Sequence, residues 1–154
     1  MSNKKLYLAS PYGFSDHCRL KLLPEFVLKL ETMGATVYEP FARNSNVDLS
    51  IPGWAHNVAF SNFRDLRNSD GLFAIVNGSP PDEGVMVELG IAIALGKPTF
   101  LFRDDFRKCT DSDEYPLNLM IFTGIPYDSW NDYYYRSLEE LDYKSKAIYK
   151  WLES

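Results

Sequence analysis

Apolar residues fall along this chain in two alternating rhythms, short unbroken runs and longer stretches spaced three and four apart. The first rhythm predicts a buried strand at residues 6–9 and apolar strands at 71–76 and 99–102, with a strand at 36–38 and a further extended segment at 117–122. The second predicts helices. One starts at Asp16 and reaches about Met33, with Leu20, Leu23, Phe26, Val27, Leu30 and Met33 on its inner face. Gly34 ends it, and Pro24 predicts a bend or a restart inside it. A second spans 54–68, with Val58, Phe63 and Leu66 among its inward residues, a third spans 80–96, and a terminal helix spans 137–152. Residues 41–53 are polar and irregular, a candidate lid or specificity loop. Strands alternating with helices over one domain, 1–154, imply a parallel sheet covered on both faces. Ligands in such sheets sit beyond the strand carboxyl ends, where the winding direction reverses. That rule gathers residues 7–14, 77–82 and the first turns of the third helix around one crevice.

The third helix stands out. Everything between its cap, Asp82 or Glu83, and its Gly96 stop is apolar or small except Glu88. A helix apolar on nearly all faces is expected to be buried, and a carboxylate in its middle loses water at a cost of several kcal/mol unless donors or a cavity receive it. Glu88 is therefore either one half of a structural ion pair or a nucleophile or base at a pocket wall. Gly84 and Gly90, close to helical facing distance on either side, leave clearance for a ligand and favour the second reading.

Composition narrows the function classes. The 154 residues carry a net charge of −5, and the basic residues are scattered, which argues against a phosphate-backbone binder and hence against a nucleic-acid partner. No apolar run is long enough for a membrane span, and the polar start Met-Ser-Asn-Lys-Lys has no signal-peptide character, so a cytoplasmic protein is expected. Cys18 and Cys109 form no Cys-x-x-Cys pair, and His17 and His56 lack partners at ligand spacing; free thiols and no metal site are expected. No Gly-x-Gly-x-x-Gly or Walker pattern implies a nucleotide cofactor. Aromatic residues make up 15% of the chain, more than a core of this size requires, which suits a pocket or interface that stacks flat ligands.

Three segments then carry a resemblance. Tyr7-Leu8-Ala9-Ser10-Pro11, Asp82-Glu83-Gly84-Val85-Met86-Val87-Glu88-Leu89-Gly90 and Pro116-Leu117-Asn118-Leu119-Met120, in that order, resemble the nucleoside 2-deoxyribosyltransferase family. The resemblance implies a flavodoxin-like (Rossmann-like) α/β fold and exchange of nucleobases on 2'-deoxyribose, with deoxynucleosides and free purine or pyrimidine bases as substrates and no cofactor. It implies a covalent deoxyribosyl intermediate on Glu88, which must be ionised at rest, with the Tyr7 hydroxyl orienting the carboxylate. Asp82 would bind the sugar 5'-hydroxyl while also capping the helix, and Asn118 and Met120 would complete a neighbouring subunit's site in a homo-oligomer, dimer-based or hexameric. Beside this, Ser10 and Gly84 line the expected crevice, and Phe14, Tyr12 and residues 41–44 are candidates for stacking on and reading the base. For Tyr7, Tyr12 and Phe14 ordinary packing is the competing reading.

One position departs from the family. Eight residues before Asp70, where the family typically carries an Asp that protonates the leaving base, this chain has Asn62. An amide donates a hydrogen bond but delivers no proton, so bases that leave protonated should leave slowly. Two alternatives stay open: a 2'-deoxynucleoside 5'-monophosphate N-glycosidase, disfavoured by the negative charge of Asp82 where a phosphate would sit, and a noncatalytic nucleotide-binding module.

Overall fold

The computed structural model describes residues 3–154; Met1 and Ser2, the beginning of the polar N-terminal stretch, lie outside the described residues. Five strands, β1 (Lys5–Ala9), β2 (Thr36–Tyr38), β3 (Gly71–Ile75), β4 (Thr99–Phe102) and β5 (Tyr134–Tyr135), form one parallel sheet in the order β2-β1-β3-β4-β5. This is the flavodoxin-like order, and the winding reverses between β1 and β3. Five α-helices accompany the sheet: α1 (Leu23–Thr32), α2 (Pro40–Arg43), α3 (Trp54–Asn68), α4 (Glu83–Ala94) and α5 (Ala147–Glu153).

The period-two alternation of β1 divides the core. Leu6 and Leu8 join Leu23, Phe26 and Leu30 of α1 and Ile148 of α5 on one face. Tyr7 and Ala9 point to the other, among Leu66 of α3 and Val85, Leu89 and Ala92 of α4. A strand turns successive side chains to opposite faces, so the register that buries Leu6 and Leu8 under α1 also delivers Tyr7 to α4. Asp70 fixes the starts of β1 and β3 against each other, its Oδ2 accepting from Lys5 N at 2.8 Å.

Several expectations are corrected by packing. The first helix is not continuous α-helix: residues Cys18–Leu22 form a π-turn that leads into α1, with Pro24 in its first turn. Proline supplies no N–H, and the wider turn, in which Leu23 N bonds Cys18 O, shifts the helical phase, leaving Leu20 62% exposed. Phe63 faces outward on α3, near Phe60 and Arg67, rather than into the core. The expected extended segment at 117–122 is extended only at its start, where Leu117 bridges Cys109; Leu119–Phe122 coil into a 3-10 turn capped by Asn118. The terminal helix is shorter than its apolar pattern predicted, because a 3-10 turn at Glu139–Asp142 and an irregular stretch precede α5. The two residues of β5 escaped the pattern altogether. Tyr135 within it is fully buried, and its hydroxyl accepts from Ile148 N at the start of α5.

Two further expectations fail in an informative way. Helix α4 is not buried all round: Val85, Leu89 and Ala92 face the sheet, whereas Val87 and Leu95 are 63% and 48% exposed. Most of the aromatic surplus is structural. Phe26, Phe73, Phe102 and Tyr135 pack on one side of the sheet, and Tyr115, Phe122, Trp130 and Tyr134 on the other.

The phase of α1 yields a direct check. Leu30→Ala, at a fully buried position, should cost about 2–5 kcal/mol in chemical denaturation. Leu28→Ala, at a 67% exposed position, should stay within about 0.5 kcal/mol. Equal losses would contradict this packing.

Candidate active site

Two neighbouring strand ends and one helix create the site. Tyr7 rises from β1 on the face that α4 covers, and Glu88, one and a half turns into α4, meets it there. The Tyr7 hydroxyl donates to Glu88 Oε1 at 2.6 Å. No ion pair among the described residues involves Glu88. Burial pushes the Glu88 carboxyl up to about 7, the Tyr7 bond pulls it back, and the nearby charges of Asp82 and Glu39 push it further up. Burial thus works against the resting ionisation that the sequence leads one to expect, and the Tyr7 bond works for it. Burial and the Glu88 charge hold the Tyr7 hydroxyl far above its usual range, so Tyr7 stays a donor.

Glu88 opens onto a cavity of about 500 Å³ lined by Ser10, Phe14, Phe41, Asn62, Asp82 and Gly84, with Asn44, Trp54 and apolar side chains completing the wall. Asp82 caps α4, its Oδ1 accepting from Val85 N at 3.0 Å, which leaves its second oxygen for other partners. A Cβ at Gly84 would lie 3.2 Å from that Oδ1, so glycine there gives the capping carboxylate room. Phe14 meets Phe41 edge to face at 5.2 Å. Gly13 makes this packing possible, since a Cβ on it would fall 2.0 Å from the Phe41 ring. Ser10 accepts from Tyr12 N and starts the short turn that carries Phe14.

Three of the residues singled out from the sequence lie elsewhere. Tyr12 turns away from the cavity: its ring lies 6.0 Å from that of Phe26, and its hydroxyl accepts from Asn77 Nδ2 at 2.8 Å. Loop curvature between Ser10 and Phe14 separates two aromatics that lie two residues apart in the sequence. Asn118 and Met120 line a second, largely apolar cavity of about 710 Å³ on another flank of α4, together with Met86, Leu89, Gly90 and Ile93. Gly90 thus clears space there and not beside the Glu88 cavity. Asn118 donates to Asp111 Oδ2 at 2.8 Å and accepts from Met120 N.

Glu39, Asp65 and Arg103 also shape the site and were not anticipated, and Arg43 was anticipated only as part of residues 41–44. Glu39, buried, caps α2 by accepting from Phe41 N and Ala42 N at 2.8 and 2.7 Å. The order Glu-Pro at the start of α2 is a capping signature, a cap before a proline in the first turn, and was legible. Arg43 pairs through Nε and Nη2 with the buried Asp65 of α3 and lies 4.2 Å from the Tyr38 ring centroid. This pair ties the short helix carrying Phe41 to the long helix carrying Asn62. Arg103, at the end of β4 and 2% exposed, donates to Val76 O, Gly78 O and Arg107 O and so pins the turn that leads to Asp82. No local pattern marks it, because its partners are backbone carbonyls, two of them on the distant turn after β3. Among the described residues no group of three or more His, Cys, Asp or Glu could hold a metal ion, and no helix is long and apolar enough to cross a membrane.

Comparison with known proteins gives this geometry a context. The family model described as nucleoside 2-deoxyribosyltransferase matches residues 6–120. A nucleoside deoxyribosyltransferase from Limosilactobacillus fermentum is 29% identical over 137 residues, 81% of this chain and 78% of that protein. Among solved structures, the 2-deoxyribosyltransferase from Bacillus psychrosaccharolyticus superposes with a TM-score of 0.66 at 27% identity, covering 90% of this chain and 91% of that one. A conserved protein from Enterococcus faecalis V583 superposes with a TM-score of 0.71 at 25% identity, over 90% and 94% of the two chains. With a family match that runs from the start of β1 through the segment bearing Asn118 and Met120, the chain belongs to the nucleoside 2-deoxyribosyltransferase family.

Proposed function

We propose that this chain transfers 2-deoxyribose between nucleobases through a deoxyribosyl ester on Glu88. One observation carries the reading: the Glu88 carboxylate lines a cavity, has no basic partner among the described residues, and accepts only from a tyrosine that stays protonated. A structural carboxylate in that position would be paired with a cation. In the forward step an oxygen of Glu88 bonds to C1' of the sugar as the C1'–N bond breaks and its electron pair leaves with the base. In the second step an incoming base attacks C1' and releases the carboxylate, and two inversions give net retention. Tyr7 holds one oxygen, so the attacking geometry costs little further ordering. The free oxygen of Asp82 accepts from the sugar 5'-hydroxyl. No cofactor enters this sequence.

A second copy of the chain completes the site. Helix α4 exposes Val87, and Met120, 63% exposed, lines the second cavity with Met86, Leu89 and Ile93, so this flank of the molecule carries uncovered apolar side chains. Asn118 and Met120 on this surface reach the sugar pocket of the neighbour. Sedimentation should show a homo-oligomer, and Val87→Asp should shift it toward smaller species with loss of activity. A fully active monomer would sink this part of the proposal.

Hydrolysis of a deoxynucleoside 5'-monophosphate on the same scaffold is the rival reading, and Asp82 opposes it, since a phosphate on the 5'-oxygen would meet that carboxylate with no cation lining the cavity. With adenine as acceptor, deoxyinosine should be converted faster than its 5'-phosphate, and Glu88→Ala should lose activity by several orders of magnitude. Preference for the phosphate, or turnover that survives Glu88→Ala, defeats the transferase reading.

The pH dependence follows from the environment of Glu88. The reactive form is the carboxylate, which is protonated below its midpoint, so cleavage should rise with pH through about 7. The Tyr7 bond lowers that midpoint; Tyr7→Phe removes the bond, raises it and moves the limb to higher pH. A limb unmoved in Tyr7→Phe would remove the role given to that hydroxyl.

A further inference from the structure

Asn44 and Asn62 form a short relay whose direction is set by the backbone. Asn44 Nδ2 donates to Pro40 O at 2.8 Å and to Asn62 Oδ1 at 2.8 Å. A carbonyl only accepts, so the atom of Asn44 that meets Pro40 O must be the amide nitrogen. That nitrogen in turn must face an acceptor on Asn62, which fixes the Asn62 amide with its oxygen toward Asn44. Asn62 Nδ2 is then left without a partner among the described residues, and it is not sealed from solvent. Both residues line the Glu88 cavity. No Lys, Arg or His lines it, and its other carboxyl, Asp82, is engaged at the start of α4. The leaving base therefore meets a donor that stabilises negative charge and delivers no proton.

Resting on the transferase reading above, we infer that the nucleobase departs as an anion held by Asn62 Nδ2, with Asn44 as the positioning residue that keeps this donor turned into the cavity. The site thereby selects bases whose glycosidic nitrogen is acidic and which carry a hydrogen-bond acceptor near it, such as oxo- and halogen-substituted purines, over bases that must be protonated to leave. The step balances. The C1'–N electron pair goes to the base nitrogen, the C1'–O bond forms from a Glu88 lone pair, and the base anion takes its proton from solvent after release. In the return step an incoming base enters as its anion and the carboxylate is regenerated. A preorganised donor aimed at developing charge in a site of low dielectric is among the larger contributions a protein makes to a rate.

The test is the rate of base release, in the presence of an acceptor base, from three purine 2'-deoxynucleosides that carry adenine, hypoxanthine and 6-chloropurine, in order of increasing base acidity. The wild-type rate should rise in that order. Asn62→Asp should flatten the series and accelerate the adenine substrate most, by about 10- to 1000-fold, because it restores a proton donor. In Asn44→Asp the residue no longer donates to Asn62 Oδ1, so the Asn62 amide turns and presents its oxygen to the base. This should lower kcat for the 6-chloropurine substrate by about 100-fold with KM little changed. Asn44→Ala, which leaves the amide free to rotate, should fall between. The slope of rate against base acidity is read within each protein, so partial unfolding of a variant lowers all three rates together and leaves the slope intact. Equal wild-type rates for the three substrates, or slopes identical in the wild type and every variant, overturn the inference while base exchange itself stands. Exchange with none of the three overturns the transferase reading and this inference with it.

Discussion

A carboxylate stripped of most of its water has to be compensated by something, and in this fold the compensation for Glu88 is a single tyrosine hydroxyl rather than a cation. That choice shapes the chemistry. A guanidinium or ammonium beside Glu88 would hold it ionised but would also lower its nucleophilicity and occupy the approach to it. Tyr7 lowers the cost of the charge only in part, leaving an anion of raised basicity at a cavity wall, which is the condition a carboxylate needs to attack a sugar carbon near neutral pH.

The rest of the architecture holds that pair in place. The alternation of β1 sends Tyr7 to the α4 side, and the reversal of winding between β1 and β3 opens the crevice above both. Arg103 grips the turn after β3, Asp82 starts α4 from that turn, and Glu88 follows at a fixed distance along the helix. On the opposite wall, the Arg43–Asp65 pair joins α2 to α3, and the Asn44–Asn62 bond aligns the polar edge of the cavity. Cations near the site are consumed by these ties: Arg43 by Asp65, Arg103 by carbonyls. The cavity is left with two carboxyls, amides, a hydroxyl and apolar walls, a lining suited to an uncharged sugar bearing a flat base.

What could be read from the chain alone depended on how local the signal was. Helix α4 was legible because its cap, its one charged interior residue and its Gly96 stop all lie in one continuous stretch of sequence. Strands β1, β3 and β4 were legible because burial on both faces makes apolar runs, and the partly buried edge strand β2 by its Thr-Val-Tyr between Gly34 and Pro40, whereas β5, two residues long and recruited by a neighbour, carries no such run. Leu20 was misplaced because a π-turn shifts helical phase without changing composition, and the exposure of Val87 and Leu95 was hidden because exposed apolar residues read like core. In the site, Glu88, Tyr7, Asp82 and Asn62 stood out by residue type and spacing. Asp65 and Arg103 did not, and Asn44 did so only as part of residues 41–44 and not for its bond to Asn62, since the meaning of all three lies in partners that only folding brings near. Tyr12 failed for the opposite reason: nearness to Phe14 in sequence says nothing about the direction a turn gives it.

The central claim is that Glu88 becomes bonded to the sugar. Mass spectrometry of the protein mixed with a deoxynucleoside and no acceptor base should reveal an added deoxyribosyl group, mapped by peptide fragmentation to Glu88 and discharged when a free base is supplied. Base release with the protein mass unchanged throughout, or an adduct carried by another residue, would contradict the account.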